Sequence, residues 1–259
     1  MSRPSTFQEK LNVRILRDRR RLLVVASSKV LSKEYAASRQ ISELMIPRTY
    51  WSGTDVSEID GREIAGGWVL KPSHRSGGVA FGEAGTFRSI DLRVDVGKLL
   101  KEREYRTSKL WGYKKAPREL LLEERLPSDN GDLKDYKFFV FHGVVSMIQV
   151  DSARFGGHFR VLYTPEWEPR SEVFGVERGE SEHAPSRLKD MLRIASQLAS
   201  EFDFVRVDLY LVKGQIYFGE LTVYPGGGLS RWPASLDTEL GSLWNLPTGI
   251  TSGPNRARA

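Results

Sequence analysis

From Val205 to Val212 apolar and polar positions alternate: Val205, Val207, Leu209 and Leu211 are separated by Arg206, Asp208 and Tyr210. That is the two-residue period of a half-buried strand. Lys213-Gly214 supplies a turn, and a second run from Gln215 to Val223 carries Glu220 among apolar neighbours, so the segment predicts a hairpin. Upstream, "YKFFVF" and "VVSMIQV" flank His142-Gly143, which predicts another hairpin with a two-residue turn. Between these hairpins, "PSRLKDMLRIASQLASEF" sets Leu188, Met191, Leu192, Ala195, Leu198, Ala199 and Phe202 at helical spacing. It predicts an amphipathic helix from about Ser186.

The first half reads differently. From Thr6 to about Leu44 the pattern is helical, and "SKVLSKEYAASRQIS" contains neither Gly nor Pro. A polar connection, "SGTDVSEIDGREIAGG", leads to a short apolar run, Trp68 to Leu70, that ends in Lys71-Pro72. The glycine-containing "SHRSGG" then turns into Val79-Ala80-Phe81, predicting two strands joined by a loop. "VDVGKLLKEREY" and "SKLWGYKKA" read as helix and loop, and "ELLLEERL" as a third apolar strand ending in acids. The C-terminal "TSGPNRARA" reads as disordered. Strands in hairpins, interspersed with a few helices, predict an α+β chain built on antiparallel sheets.

Composition narrows the function classes. The 259 residues suffice for one large or two modest cores. No apolar stretch approaches the roughly 20 residues that cross a bilayer, and "MSRPSTFQEKLNVR" has no secretory pattern. The absence of cysteine excludes disulfides, thiolate ligands and thiol catalysis, and the expected location is the cytoplasm. The net charge of +6 suits a nucleotide or phosphorylated substrate. Much of the excess sits in "RILRDRRRL", which reads as a helix with a solvated basic face. No nucleic-acid-binding signature accompanies it, so neither a nucleic acid nor a membrane is expected as partner.

The chemistry concentrates in the last hairpin. A strict two-residue turn at Lys213-Gly214 would pair Asp208 with Gly219 and leave Glu220 on the opposite face. A three-residue turn or one bulge would restore a common face. Two carboxylates about 4 Å apart repel by roughly 4 kcal/mol at an effective dielectric near 20, a cost that a cation between them removes. Hard oxygen ligands select Mg²⁺ or Mn²⁺. The alternative is that Asp208 pairs with Arg206 while Glu220 faces solvent. Tyr224-Pro225-Gly226-Gly227-Gly228 follows directly, a loop able to bring backbone N–H groups against an anion.

"VRVDLY", "GQIYFGELTVYPGGG", "WVLKPSHRSGG", "LLLEERL", "DYKFFVFHG", "MIQVDSAR" and the N-terminal "TFQEKL" resemble, in order, the blocks of the TupA-like ATP-grasp family. The last hairpin is more distantly similar to D-alanine–D-alanine ligases. The resemblance covers about Thr6 to Pro247. It implies an ATP-grasp fold, two lobes of largely antiparallel sheet with helices, arranged as a short helical N-terminal region (1–60), a lid lobe with a glycine-rich loop (61–125), a catalytic lobe (126–248) and a tail (249–259).

The resemblance also implies roles. Lys71 would reach an ATP phosphate and act in catalysis, and the loop carrying Ser73, Ser76, Gly77 and Gly78 would cover the triphosphate. Glu123, Glu124, Arg125 and Leu126 would meet adenine and ribose, and Lys137 would be the second nucleotide lysine. Asp208 and Glu220 would hold magnesium, with Thr222 in place of the ligases' Asn as an open third ligand. Arg206 would stabilise charge at the acyl phosphate and tetrahedral intermediate. Asp151, Arg154, His158, Gly227 and Gly228 fall to the substrate side. A family Asp-Lys and Arg appear here as Ser28-Lys29 and Lys33. The implied reaction is ATP-dependent joining of a small-molecule or peptide carboxylate to an amine through an acyl phosphate. Its rivals are a kinase on the same machinery and a nucleotide-binding regulator without turnover. The short N-terminal region implies a pared-down acceptor site, or one completed by a second copy in a homodimer.

Overall fold

The computed structural model describes residues 3–75, 77–101, 110–127, 133–152, 157–248 and 250. Ser76, Arg154 and the tail, 249 and 251–259, lie outside the described residues. The N-terminal helical pattern is divided into three helices, α1 (Phe7–Arg17), α2 (Arg21–Ala26) and α3 (Lys29–Ser38). Thr6 starts α1 by a capping box with Glu9, and Ser28 starts α3 by accepting from the Leu31 N–H.

Strands β1 (Leu44–Met45), β2 (Thr49–Gly53), β3 (Glu63–Ile64), β4 (Trp68–Pro72), β5 (Ala80–Gly82) and β6 (Gly85–Thr86) precede α4 (Val96–Lys101) and α5 (Trp111–Lys115). Then follow β7 (Leu120–Glu124), β8 (Asp135–Phe141), β9 (Val144–Ser152), β10 (Phe159–Tyr163), β11 (Glu177–Arg178) and α6 (Leu188–Leu198). The chain continues through β12 (Phe204–Val212), β13 (Gln215–Thr222) and α7 (Ala234–Leu243). A seven-stranded sheet has the order β1-β13-β12-β8-β9-β10-β11, and a four-stranded sheet the order β2-β7-β4-β5. Pairing is antiparallel at β8–β9, β9–β10, β2–β7 and β4–β7, but parallel at β1–β13 and β10–β11. No helix among the described residues is long and apolar enough to cross a membrane.

The chain divides into two compact units. One comprises Met1–Arg20, Lys134–Asp208 and Thr222–Ala259. Its core is aromatic: Phe7 makes edge contacts with Phe141, Phe204 and Trp232, and Trp244 lies against Phe7 and Phe204. Met191, Ala195 and Leu198 of α6 are buried as the amphipathic pattern predicts, and Ile194, outside the predicted stripe, is buried with them in place of Leu192. Each large side chain so buried contributes about 1.5–3 kcal/mol. The other unit comprises Arg21–Leu133 and Leu209–Leu221, with a core of Trp51, Ile59, Ile64, Leu70, Phe87, Leu99, Leu120 and Leu122.

The basic run departs from the expected solvated face. Arg14 is 0 % exposed. Its guanidinium donates to the carbonyls of Phe204 and Val223 at 3.0 and 3.1 Å, meets Asp203 at 2.8 Å and lies 4.4 Å from the Trp244 ring centroid. Arg20 joins Asp18 and Asp203, and the Trp244 indole N–H donates to Asp203 at 2.7 Å. Two carbonyl acceptors and the Asp203 carboxylate offset the burial of this guanidinium, which an unpaired one would not tolerate.

Candidate functional site

In the first unit, charged side chains recur at alternate positions of adjacent strands. Asp135 and Lys137 on β8 are in register with Asp151 and Gln149 on β9, and Asp151 with Arg160 on β10. β12, on the other side of β8, contributes Arg206 and Asp208. These positions form one row across the sheet. Lys137 Nζ contacts Asp135 and lies 3.3 Å from Asp208 Oδ2 and 3.8 Å from Asp151 Oδ2. Arg206 grips Asp208 through Nε and Nη2, both at 2.7 Å, and donates from Nη2 to the Thr222 hydroxyl at 3.0 Å. Asp208 is only 2 % exposed.

Arg160 donates to Asp151 Oδ1 at 2.7 Å, and Gln149 reaches both its oxygens at 3.0 Å. Burial pushes the Asp151 carboxyl pKa up, but the Arg160 hydrogen bond, the Lys137 and Arg160 charges and Gln149 outweigh it, so the value is lowered. His158 Nε2 lies 3.5 Å from Asp151 Oδ2. Three carboxylates are thus matched by three permanent cations, the condition under which buried charges are tolerated.

The last hairpin turns at Lys213-Gly214, whose φ angles of 48° and 76° match a two-residue type I′ turn. Burial along β13 then changes parity: Ile216 and Phe218 are buried at even positions, Leu221 and Val223 at odd ones. The break falls at Gly219-Glu220. Since Thr222 receives the Arg206 hydrogen bond, it lies on the face of Arg206 and Asp208, and strand alternation puts Glu220 on the face of Thr222. Asp208 nonetheless pairs with Arg206, as the alternative reading expects. Beyond β13, Gly226, Gly227 and Gly228 all have φ between 61° and 75°. A Cβ on Gly227 would meet nothing within 4 Å, so this turn is open at its middle residue.

In the second unit, Lys71 on β4 contacts Glu123 on β7. The other Glu123 oxygen accepts from Lys33 of α3 at 2.6 Å. Burial pushes Glu123 up, but the charges of Lys71 and Lys33 win and its pKa is lowered. Burial likewise lowers Lys33 against the pull of Glu123.

Ser73 is buried, its hydroxyl 2.9 Å from that of Ser28 and accepting from the Val30 N–H at 3.1 Å, so it anchors the start of its loop to α3. Gly77 and Gly78 follow with φ of 71° and 70°. The N–H groups of Glu124 and Arg125 are donated to the carbonyls of Arg48 and Gly67, and the Arg125 side chain pairs with Glu83. Leu126 follows directly and is half-buried.

Asp135, Gln149 and Arg160 enter these clusters without being singled out from sequence, and Lys33 was named there only as standing where the family has an Arg. Asp135 and Gln149 share the strand parity of Lys137 and Asp151, a signal that was present in the pattern.

Three comparisons bear on this geometry. The TupA-like ATPgrasp family model matches residues 9–245. No curated protein matches the chain. Among solved structures, the ATP complex of a D-alanine–D-alanine ligase from Bacillus anthracis is 14 % identical with a TM-score of 0.41 over 77 % of this chain and 54 % of its own. A second structure of that ligase gives 15 %, 0.46, 85 % and 66 %. The ATP-grasp ligase PsnB with minimal precursor, Mg and ADP gives 13 %, 0.39, 78 % and 52 %. The chain thus spans about half to two thirds of the length of these structures.

Proposed function

Because the chain belongs to the TupA-like ATP-grasp family, we propose that it is an ATP-dependent carboxylate–amine ligase. A carboxylate oxygen of the acid attacks the γ-phosphorus of ATP; the bond to the bridging oxygen breaks and ADP leaves. The amine nitrogen then adds to the acyl carbon, loses a proton and expels phosphate, leaving an amide. Most of the acceleration in such a sequence comes from positioning and charge stabilisation.

The observation that carries this reading is the buried row in which Lys137 and Arg206 converge on Asp208. Lys137 and Lys71 are ammonium groups suited to phosphate oxygens, and Ser73, Ser76, Gly77 and Gly78 would supply the loop for the triphosphate. The backbone of Glu124 to Leu126 serves the base and ribose, with the N–H groups of Glu124 and Arg125 already donated to Arg48 and Gly67, and Glu123 lies beside them with its carboxylate taken by Lys33 and Lys71. Arg206, held flat by two bonds to Asp208, offers fixed donors to the charge that develops during acyl transfer.

The donor set Asp208, Glu220 and Thr222 is all oxygen, which fits Mg²⁺ or Mn²⁺. No group of three or more His, Asp or Glu stands ready as a metal cage among the described residues. An ion of this kind takes one or two protein carboxylates and completes its shell with phosphate. When bound, the ion neutralises phosphate charge. Asp151, Arg154, His158, Gly227 and Gly228 belong to the acid or amine side.

The test is ADP release from ATP with candidate acids, with and without amines, and mass spectrometry of products. Acid- and amine-dependent release with an amide product supports the ligase. Release with a phosphorylated product and no amide reassigns the protein as a kinase, and binding without release as a regulator. Asp208→Asn and Glu220→Gln should each lower turnover by about 100-fold or more; near wild-type rates would refute the metal assignment.

A further inference from the structure

Glu123 has two oxygens, and each is taken by a different lysine: Oε1 by Lys71 on β4, Oε2 by Lys33 on α3. The two lysines are unequal. Lys33 is 8 % exposed and Lys71 21 % exposed, so Lys71 is the more accessible of the two. A glutamate paired with Lys71 alone would fix that side chain but cancel its charge. With Lys33 on the second oxygen, two ammoniums face one carboxylate and the group keeps a net positive charge.

We infer that Lys33 is a positioning residue for phosphate binding: as an internal counter-ion to Glu123, it lets that carboxylate hold Lys71 in place without neutralising it. This rests on the proposed role of Lys71 at an ATP phosphate. The environment of Lys33 agrees. Its burial is a cost, which a helix surface lysine ordinarily avoids by reaching water, and Glu123 is the partner that offsets it. Ser28 at the N-cap of α3 is bonded to Ser73 of the phosphate loop, and Lys29 Nζ donates to the Arg75 carbonyl at 2.6 Å, so α3 is tied to β4 and its loop at several points. Lys33 therefore sits on the element that already holds the loop following Lys71.

The probe is AMPPNP with magnesium, its binding measured by calorimetry, beside adenosine, which has no phosphate. Lys33→Met, checked for cooperative thermal unfolding, should bind AMPPNP about tenfold more weakly, the equivalent of losing one modest ionic contribution. Adenosine affinity should stay within about twofold of wild type, and Lys33→Arg should restore most of the AMPPNP affinity. In Lys33→Met/Glu123→Gln both charges are gone, Lys71 keeps its own, and AMPPNP affinity should recover relative to Lys33→Met. That double variant also leaves no buried glutamate short of a partner, so it decides the matter if Lys33→Met fails to fold.

Unchanged AMPPNP binding in folded Lys33→Met, equal losses for adenosine and AMPPNP, or no recovery in the double variant would each overturn the inference. Lys71→Met separates the two layers. If it loses AMPPNP while Lys33→Met does not, only the counter-ion role falls; if it binds AMPPNP as wild type does, the nucleotide role of Lys71 falls as well.

Discussion

Asp203 offers the sharpest test of how the first unit is held. Its carboxylate accepts from Arg14 at 2.8 Å, Arg20 at 2.7 Å and the Trp244 indole at 2.7 Å. Asp203→Asn keeps the shape and one acceptor oxygen but removes the charge facing a fully buried guanidinium. Breaking a buried pair by removing one partner costs about 3–5 kcal/mol. The retained acceptor for Trp244 argues for the lower end, about 3 kcal/mol.

The pH dependence follows from the same contacts. Burial raises the Asp203 pKa, but Arg14, Arg20 and Trp244 outweigh it, and the folded value is lowered. A carboxyl with a depressed folded value stabilises the protein above its unfolded pKa and loses that contribution as pH falls through the folded one. Wild type and variant should therefore differ by a constant amount between about pH 5 and 8, and the gap should begin to narrow below about pH 4 and go on narrowing as pH falls through the lower folded value. Urea unfolding followed by tryptophan fluorescence at pH 7 and pH 3.5 measures both. A difference under about 1 kcal/mol at pH 7, or one that is the same at both pH values, would refute the reasoning.

Other expectations can be checked by the same unfolding assay. Gly241→Ala in α7 should gain about 1 kcal/mol in helix propensity, yet its Cβ would lie 2.3 Å from the Ser5 carbonyl and 2.6 Å from the Thr6 backbone. Rigid backbone contact of this kind costs about 3 kcal/mol, so the variant should be net destabilised by about 2 kcal/mol. Lys213→Asn, at a φ of 48° in a type I′ turn, should stabilise by about 0.5–1 kcal/mol. His142→Asn, at a φ of 49°, should gain less, because His142 Nε2 accepts from the Asn245 N–H at 3.1 Å and the shorter side chain gives that bond up. Leu198→Ala, at a fully buried position of α6, should cost about 2–5 kcal/mol.

What was legible in the chain was what short-range pattern encodes. The hairpins at His142-Gly143 and Lys213-Gly214 follow from alternation plus a glycine in the turn. Even the irregularity at Gly219-Glu220 is written there, since Ile216 and Phe218 give way to Leu221 and Val223. Arg14 was not legible, because the carbonyls that accept from it belong to residues 190 and 209 positions away. Helix α7 was missed for a related reason. Its inward residues, Leu236, Leu240 and Gly241, make a thin stripe after Pro233, and Gly241 serves close approach to Thr6 rather than helix propensity. The row of charges was half visible: Lys137, Asp151, Arg206 and Asp208 stand out in apolar strands. Their assembly requires the strand order β12-β8-β9-β10, which no local signal states. Lys33 was marked only as standing where the family has an Arg, and its partner Glu123 lies 90 positions away.

The Arg14 contacts also set a schedule. α1 is made well before the carbonyl oxygens of Phe204 and Val223 that it must clasp, which lie 190 and 209 positions further along the chain. Most of the second unit is one continuous stretch, Arg21–Leu133, and can condense while translation continues. That helix must wait, its buried face unsheltered, until the segments around Phe204 and Val223 arrive. Chains released early would expose Phe7, Leu11 and an uncompensated Arg14 to chaperones and proteases.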